Sequence, residues 1–364
     1  MKIIVVGGNC TNKGAQALLL ITMCELKKKY PNAELYFDSQ DNFRDNDKYF
    51  FKHIDRRALR NALAIKAKKG QAGRVLKDAV WAARDHRWYA CFAEFGYLKM
   101  LNDVEMIIDI SGYNLASKFS DDHNRLFLDI IEYSLDCGIR TIIMPQSFGP
   151  FDYKNDREGM LARITSVLNR ADVVYAREPG GYEALTNLGV KNVKLSDDLV
   201  LLSEGYDLTK VCTEKEEVTE IATGENGSIA IVPNEKVFVN SADAKQLMKT
   251  YEEIVNHALE SGNKVFLIYH SNEDLAICRN IKKLFDDKKD VQIIEKELAF
   301  YEYEALVTKF KYIIASRYHS IVIAYRQAVP CIGIGWAEKY EYLFSVGNFW
   351  FCNGSYYFII FCSV

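Results

Sequence analysis

Arg317, Tyr318 and His319 lie between two short apolar runs, Lys311 to Ala315 and Pro330 to Ile334. Each run suits a buried strand. Ser320 to Gln327 has the length and residue types of a helix, with Ser316 or Ser320 available to cap it. The unit reads strand, loop, helix, strand. In open α/β sheets such turns stand at the C-terminal ends of strands, where ligands bind. A helix N-terminus there also offers free N–H groups and a partial positive charge. An arginine and a histidine at that point, with Ser320 beside them, make a candidate site for a phosphorylated substrate. The blander alternative is that both side chains cap, pair with carboxylates or stand in solvent.

The elements that must position these residues run through the whole chain of 364 residues, long enough for two domains with separate cores. Lys2 to Val6 reads as a buried strand. A glycine turn containing Gly7, Gly8, Asn12, Lys13 and Gly14 follows, then a helical run from Leu18 to Lys29 and a strand from Glu34 to Phe37. This is the opening βαβ unit of a Rossmann-like domain. The glycines fit neither G-x-G-x-x-G nor G-x-x-x-x-G-K-[ST], which argues against dinucleotide and nucleoside-triphosphate binding. A loop bearing Asn12 and Lys13 before the helix can hold a phosphate or a sugar hydroxyl, or can be a plain turn with a solvated lysine.

Further strands are expected at Asp103 to Ile110, Arg140 to Met144 and Asp172 to Ala176. They open onto Ser111 and Gly112, onto Pro145 to Phe151 with Gln146, and onto Arg177; Asp197 and Asp198 close this half. Strand after strand ending in a polar or glycine-bearing loop suggests one rim of a parallel sheet. We place an N-terminal Rossmann-like domain at 1–205, with a basic helical insertion at about 52–100, and an acidic linker at 206–227. A C-terminal Rossmann-like domain follows at 228–347, then an atypical apolar tail at 348–364. The expected class is α/β, two Rossmann-like domains facing a cleft.

Composition narrows the function. Apolar content of 49%, charged content of 26% and a net charge of −3 fit a globular chain and give no support for nucleic-acid binding. Nine scattered cysteines without a C-x-x-C pair read as thiols of a reducing compartment, neither a disulfide frame nor a zinc site. The run Ile3 to Val6 is too short for a signal-peptide core, so the expected location is the cytoplasm. In the basic insertion Arg56, Arg57 and Arg60 are interleaved with apolar residues and tryptophans. That pattern suits either a solvated face or contact with an anionic membrane surface.

Several stretches together are similar to the polysaccharide pyruvyl transferase family. They are Asn12-Lys13-Gly14-Ala15-Gln16-Ala17, Asp109-Ile110-Ser111-Gly112-Tyr113 and Pro145-Gln146-Ser147-Phe148-Gly149-Pro150-Phe151. Ala176-Arg177-Glu178, Ser196-Asp197-Asp198 and Ser316-Arg317-Tyr318-His319 complete the ordered set, which spans Met1 to about Lys339. Two places depart from the family pattern: Glu178-Pro179-Gly180-Gly181, and the tail after Gly347.

The resemblance implies a GT-B-like fold and transfer of a pyruvyl group from phosphoenolpyruvate to a saccharide as a cyclic ketal. Arg317 and Arg177 would then grip the donor's phosphate and carboxylate. His319 is the candidate general acid, and Asp197 or Asp198 would take the proton of the sugar hydroxyl. Asn12, Lys13, Gly14, Ser111, Gly112, Gln146 and Ser320 are further candidates for substrate contacts. The scheme needs no metal and no cofactor beyond phosphoenolpyruvate as donor substrate. A lipid-linked acceptor would bring the protein to the inner face of the membrane. Two alternatives stay open, a GT-B nucleotide-sugar glycosyltransferase and a non-catalytic saccharide- or phosphate-binding relative.

Overall fold

A computed structural model of the chain describes residues 1–10, 12–39, 49–67, 97–212, 227–335, 338–345 and 358–361. It divides into two compact units, Met1–Cys10 with Leu18–Lys215, and Thr11–Ala17 with Glu216–Val364.

The first unit is built on Lys2–Val6 (β1), Glu34–Ser39 (β2), Lys52–Asp55 (β3), Val104–Asp109 (β4), Tyr113–Leu115 (β5), Arg140–Phe148 (β6), Val173–Ala176 (β7) and Val193–Leu195 (β8). They form one sheet in the order β3-β2-β1-β4-β6-β7-β8, with β5 paired to β6, and every pairing is parallel. Parallel neighbours need crossovers, and helices supply them. The helices are Lys13–Lys29 (α1), Arg56–Lys66 (α2), Asp121–Asp136 (α3), Arg157–Leu168 (α4), Pro179–Asn187 (α5) and Leu199–Leu202 (α6). The unbroken apolar run of β1 is explained by burial on both faces, Ile3 to Val6 all being buried.

The second unit carries Ile229–Val232 (β9), Val265–Ile268 (β10), Val291–Ile294 (β11), Ile313–Ala315 (β12), Cys331–Gly335 (β13) and Phe358–Phe361 (β14). All are parallel, in the order β11-β10-β9-β12-β13-β14. Relabelled from β9, this is 3-2-1-4-5-6, the doubly wound order. Its helices are Glu235–Asn240 (α7), Ala244–Glu260 (α8), Leu275–Lys283 (α9), Phe300–Val307 (α10), Tyr318–Arg326 (α11) and Glu338–Ser345 (α12). Tyr251 and Val255 of α8 and Cys278 and Ile281 of α9 close one core against β9 and β10. The strand order reverses at β1/β4 in one unit and at β9/β12 in the other, and the candidate residues collect at both reversals.

Several expectations need correcting. α1 begins at Lys13, not Leu18, because the Asn12 side chain accepts from the backbone N–H groups of Gly14 (3.0 Å) and Ala15 (3.1 Å) and so starts the helix early. Lys13 and Gly14 are therefore its first turn. α11 likewise begins at Tyr318, with Arg317 as the N-cap residue and no side-chain cap. Neither serine caps it: the Ser316 hydroxyl bonds Tyr251 (2.7 Å) and that of Ser320 bonds His270 (2.8 Å). Glu178-Pro179-Gly180-Gly181 opens α5, with Pro179 at its first position.

In α2, Arg56 and Arg60 are turned inward, not toward solvent or a membrane. Arg56 forks onto Asp38 (2.8 and 3.1 Å) and Arg60 pairs with Asp129; only Arg57 of the three is exposed. The rest of the basic stretch (68–96) lies outside the described residues, as do 213–226 of the acidic linker. Of the apolar tail, Phe358–Phe361 is the edge strand β14 beside β13, and 346–357 and 362–364 lie outside the described residues. Among the described residues no helix is long and apolar enough to cross a membrane.

Candidate functional site

In the second unit β12 ends at Ala315, and Arg317 follows at once as the N-cap of α11. Its guanidinium is not held free. Nε and Nη2 donate to the two oxygens of Asp274 (2.8 and 2.6 Å), and Nη2 also reaches Glu273 (2.9 Å). Asp274 is fully buried, and its oxygens also accept the backbone N–H groups of Glu235 (2.9 Å) and Ser271 (3.1 Å). Such a carboxylate cannot lose its arginine cheaply, so loss of Arg317 exposes the unit to the penalty of an unpaired buried charge. Asn234 donates to the carbonyl of Ser316 (3.0 Å) and fixes the turn at the sheet reversal.

The opening of α1 belongs to the same cluster. The Lys13 side chain is only 3% exposed. Its Nζ donates to the His270 carbonyl (3.3 Å) and lies 4.5 Å from the centre of the Tyr269 ring. Burial draws its pKa down to about 8, against the opposing charges of Glu297 and Asp274. Gly14 donates its N–H to His270 Nε2 (3.0 Å), and Asn12 pairs with Ser271 in an antiparallel bridge. The Gln16 side chain accepts from the Phe300 N–H (2.6 Å) at the start of α10. His319, in the first turn of α11 and half-buried, lies against Gly14: a Cβ there would meet its Cβ at 2.7 Å and overlap its ring. A lysine, an arginine and a histidine thus converge where α1 and α11 begin. The first-turn N–H groups of α1 are taken up by Asn12 and His270, so it is the cations and the N-terminus of α11 that suit an anion.

The first unit holds a second polar cluster at its own reversal. Gly7, with φ +87° that only glycine adopts at ease, donates to Asp38 (2.6 Å) and packs against Ser111. Asp109 accepts from the Ser111 hydroxyl (2.8 Å) and from Gln146 Nε2 (3.0 Å). Asp38, Arg56, Asp109, Ser111, Asn114 and His123 border a cavity of about 10 Å³, room for roughly one water. Nearby, Arg177 gives Nε and Nη2 to the Ser147 hydroxyl (3.0 and 2.8 Å) and Nη1 to Asp198 (3.0 Å). Asp198 also caps α6 through the Val200 N–H (2.9 Å). Its carboxylate is therefore committed, whereas Asp197 is exposed. Gly112 lies beside Arg177, whose Nη1 is 3.8 Å from where a Cβ would stand.

The sequence-derived candidates therefore fall into two groups. Asn12, Lys13, Gly14, Arg317, His319 and Ser320 collect in the second unit. Ser111, Gly112, Gln146, Arg177 and Asp198 collect in the first, with Asp197 at its surface. Missed were His270, Asp274, Glu273 and Tyr303, and, in the first unit, Asp38 and Arg56. His270-Ser271 at the end of a strand carried the same signal as Arg317, a polar pair at a strand's C-terminal end.

Burial pushes the Asp109 carboxyl up to about 6, although hydrogen bonds from Ser111 pull the other way. The sign follows from linkage: below the unfolded pKa near 4 both states hold the proton, and stability is lost as pH rises through 6. Asp109→Asn should remove that slope. Its urea midpoint should match the native one near pH 4 and exceed it at pH 7 by the equivalent of about 3 kcal/mol. Parallel profiles for the two proteins from pH 4 to 7 would show that Asp109 is not the titrating group.

Two doubly wound parallel units in one chain, each with its polar cluster at the strand reversal, define a GT-B-like α/β protein. Similar solved structures include the UDP-GlcNAc 2-epimerase of Methanocaldococcus jannaschii, with TM-score 0.59 and 12% identity over 100% of this chain and 89% of that one. Another UDP-N-acetylglucosamine 2-epimerase gives TM-score 0.51 and 12% identity over 93% and 80%. At these identities the likeness is one of fold. A comparison with curated proteins gave no match. The model of the polysaccharide pyruvyl transferase family matches residues 12–338, and the chain belongs to that family.

Proposed function

We propose that this transferase moves the pyruvyl group of phosphoenolpyruvate onto two hydroxyls of a saccharide, as a cyclic ketal, in the assembly of a cell-surface polysaccharide. The observation that carries the reading is the second unit's cluster. There the N-termini of α1 and α11 meet Lys13, Arg317 and His319. A donor bearing both a phosphate and a carboxylate matches those cations and the N-terminus of α11; the N–H groups of Gly14 and Ala15 in α1 are already taken by Asn12 and His270. Arg317 has two nitrogens committed to carboxylates, so it would reach the donor through Nη1, with Asp274 fixing the plane of the fork.

The chemistry needs a proton at the methylene carbon, and His319 is the side chain suited to deliver it. The cation left at the neighbouring carbon takes the first hydroxyl oxygen, whose proton passes to a base. Phosphate departs with its bridging oxygen, and the second hydroxyl closes the ring and loses its own proton. Phosphoenolpyruvate is made in the cytoplasm, so the reading sets the protein there. A lipid-linked acceptor would bring it to the inner face of the membrane.

Purified protein should release phosphate from phosphoenolpyruvate only when a suitable saccharide is present, and the product should carry the pyruvyl mass increment. His319→Ala should lower turnover by about 10²- to 10⁴-fold while leaving the melting transition in place. Unchanged turnover would remove His319 from the acid role. Saturable binding of a nucleotide sugar, with phosphoenolpyruvate unable to compete, would replace this reading with a glycosyltransferase. Donor binding without turnover on any acceptor would point to a binding protein.

A further inference from the structure

We infer that His270 is a positioning residue, a neutral imidazole that holds the start of α1 against His319. The inference deepens the reading above, in which His319 is the acid. The Gly14 N–H, shared with Asn12 Oδ1 at 3.0 Å, can only donate, so His270 Nε2, also 3.0 Å away, must present a lone pair. The single ring proton then sits on Nδ1 and is donated to the Ser320 hydroxyl at 2.8 Å. That hydroxyl also accepts from Tyr303 (2.9 Å), and the two donors fix its lone pairs. The ring is 1% exposed and packs perpendicular to the Tyr303 ring, 5.4 Å between centres, so it has no room to turn.

A second proton on His270 would set N–H against N–H at Gly14 and push the first turn of α1 off its seat. Burial keeps that proton away, holding the pKa well below the ordinary histidine range, and the charges that face it from α1 and α11, on Lys13, Arg317 and His319, act in the same sense. The consequence runs through Gly14, which packs directly on the His319 ring. Where α1 begins decides where His319 can stand. His270 touches no reacting atom in this scheme; it acts through Gly14 and Ser320.

Two substitutions separate the two bonds. Gln at 270 can place an oxygen where Nε2 stood and still accept from Gly14. Asn can replace the Nδ1 donor to Ser320 but gives up the bond from Gly14 to residue 270, leaving that N–H to Asn12 alone. His270→Asn should lower kcat by about 10- to 100-fold, the scale of a misplacement near 1 Å, with a smaller change in KM for phosphoenolpyruvate. It should also move the His319 titration, followed by NMR with histidine labelled in its ring nitrogens. His270→Gln should lose several-fold less and leave that titration near the native value.

The tautomer is read in the ligand-free native protein, from the ¹⁵N shift of His270 Nε2. It therefore stands whether or not the variants fold and whether or not phosphoenolpyruvate proves to be the donor. A lone-pair nitrogen at Nε2 is the expected result. A protonated Nε2, or equal effects of Asn and Gln on kcat and on the His319 titration, overturns the inference. Absence of turnover in native protein, with the tautomer as expected, would instead count against the proposed function alone.

Discussion

Gly14→Ala should leave a folded protein that has lost turnover. In most helices alanine is the better residue, by roughly 0.5–1 kcal/mol over glycine. Here the added methyl would sit 2.7 Å from the His319 Cβ as well as overlapping its ring. Rotation of the imidazole cannot relieve a clash with an atom fixed to the backbone, so the first turn of α11 must shift. The expected loss in kcat is about 10²- to 10⁴-fold, the range for removing an acid from its place. The melting temperature should change little, because helix propensity gained in α1 opposes strain in α11. Gly14→Ala turnover within a few-fold of native would show that His319 has slack, and with it that the contact with α1 is incidental. Far-ultraviolet circular dichroism and a denaturant midpoint distinguish misplacement from unfolding.

How much of this was legible beforehand depended on whether the cause was local. The apolar runs that became β1, β4, β9 and β12 are local signals, and they placed Arg317, His319 and Ser111 at strand ends correctly. The start of α1 was local too, since Asn12 is a strong cap, but a glycine at its second position disguised it as a loop. What sequence could not supply was partnership. Asp274, 43 residues from Arg317, takes the fork expected to bind a ligand, and Asp38, 18 residues before Arg56, takes a charge expected in solvent. Nothing in spacing shows that residues 11–17 belong with the second unit rather than the first. Arginine in a sequence advertises charge, and the fold decides whether that charge is already spoken for. Family motifs did not distinguish Asp198, committed to Arg177 and a helix cap, from its exposed neighbour Asp197.

Lys13→Met should make the protein more stable at pH 7 and a poorer binder of its donor. The lysine is a base whose pKa falls to about 8 on folding, because burial disfavours the ammonium. The unfolded chain therefore holds this proton more tightly, and below pH 8 the native state bears the full penalty of a buried charge. At 1.36 kcal/mol per pKa unit the depression corresponds to about 3 kcal/mol, partly offset in the substitution by loss of the contact with the Tyr269 face. A net gain on the order of 1–2 kcal/mol is expected for methionine, which fills similar volume. It should shrink as pH rises from 8 toward 10.5, where native Lys13 becomes neutral, and denaturant midpoints across that window measure it. Binding should move the other way, because losing one charge-assisted contact to an anion raises KM for phosphoenolpyruvate by about 10- to 100-fold. In native protein KM should also rise as Lys13 deprotonates above pH 8, and the variant should lack that rise. Retention of a destabilised cation is expected where function selects it. If Lys13→Met instead unfolds earlier at pH 7 and binds the donor as before, the lysine is a tether between α1 and the His270 carbonyl, and the anion is held by Arg317 and the N-terminus of α11 without it.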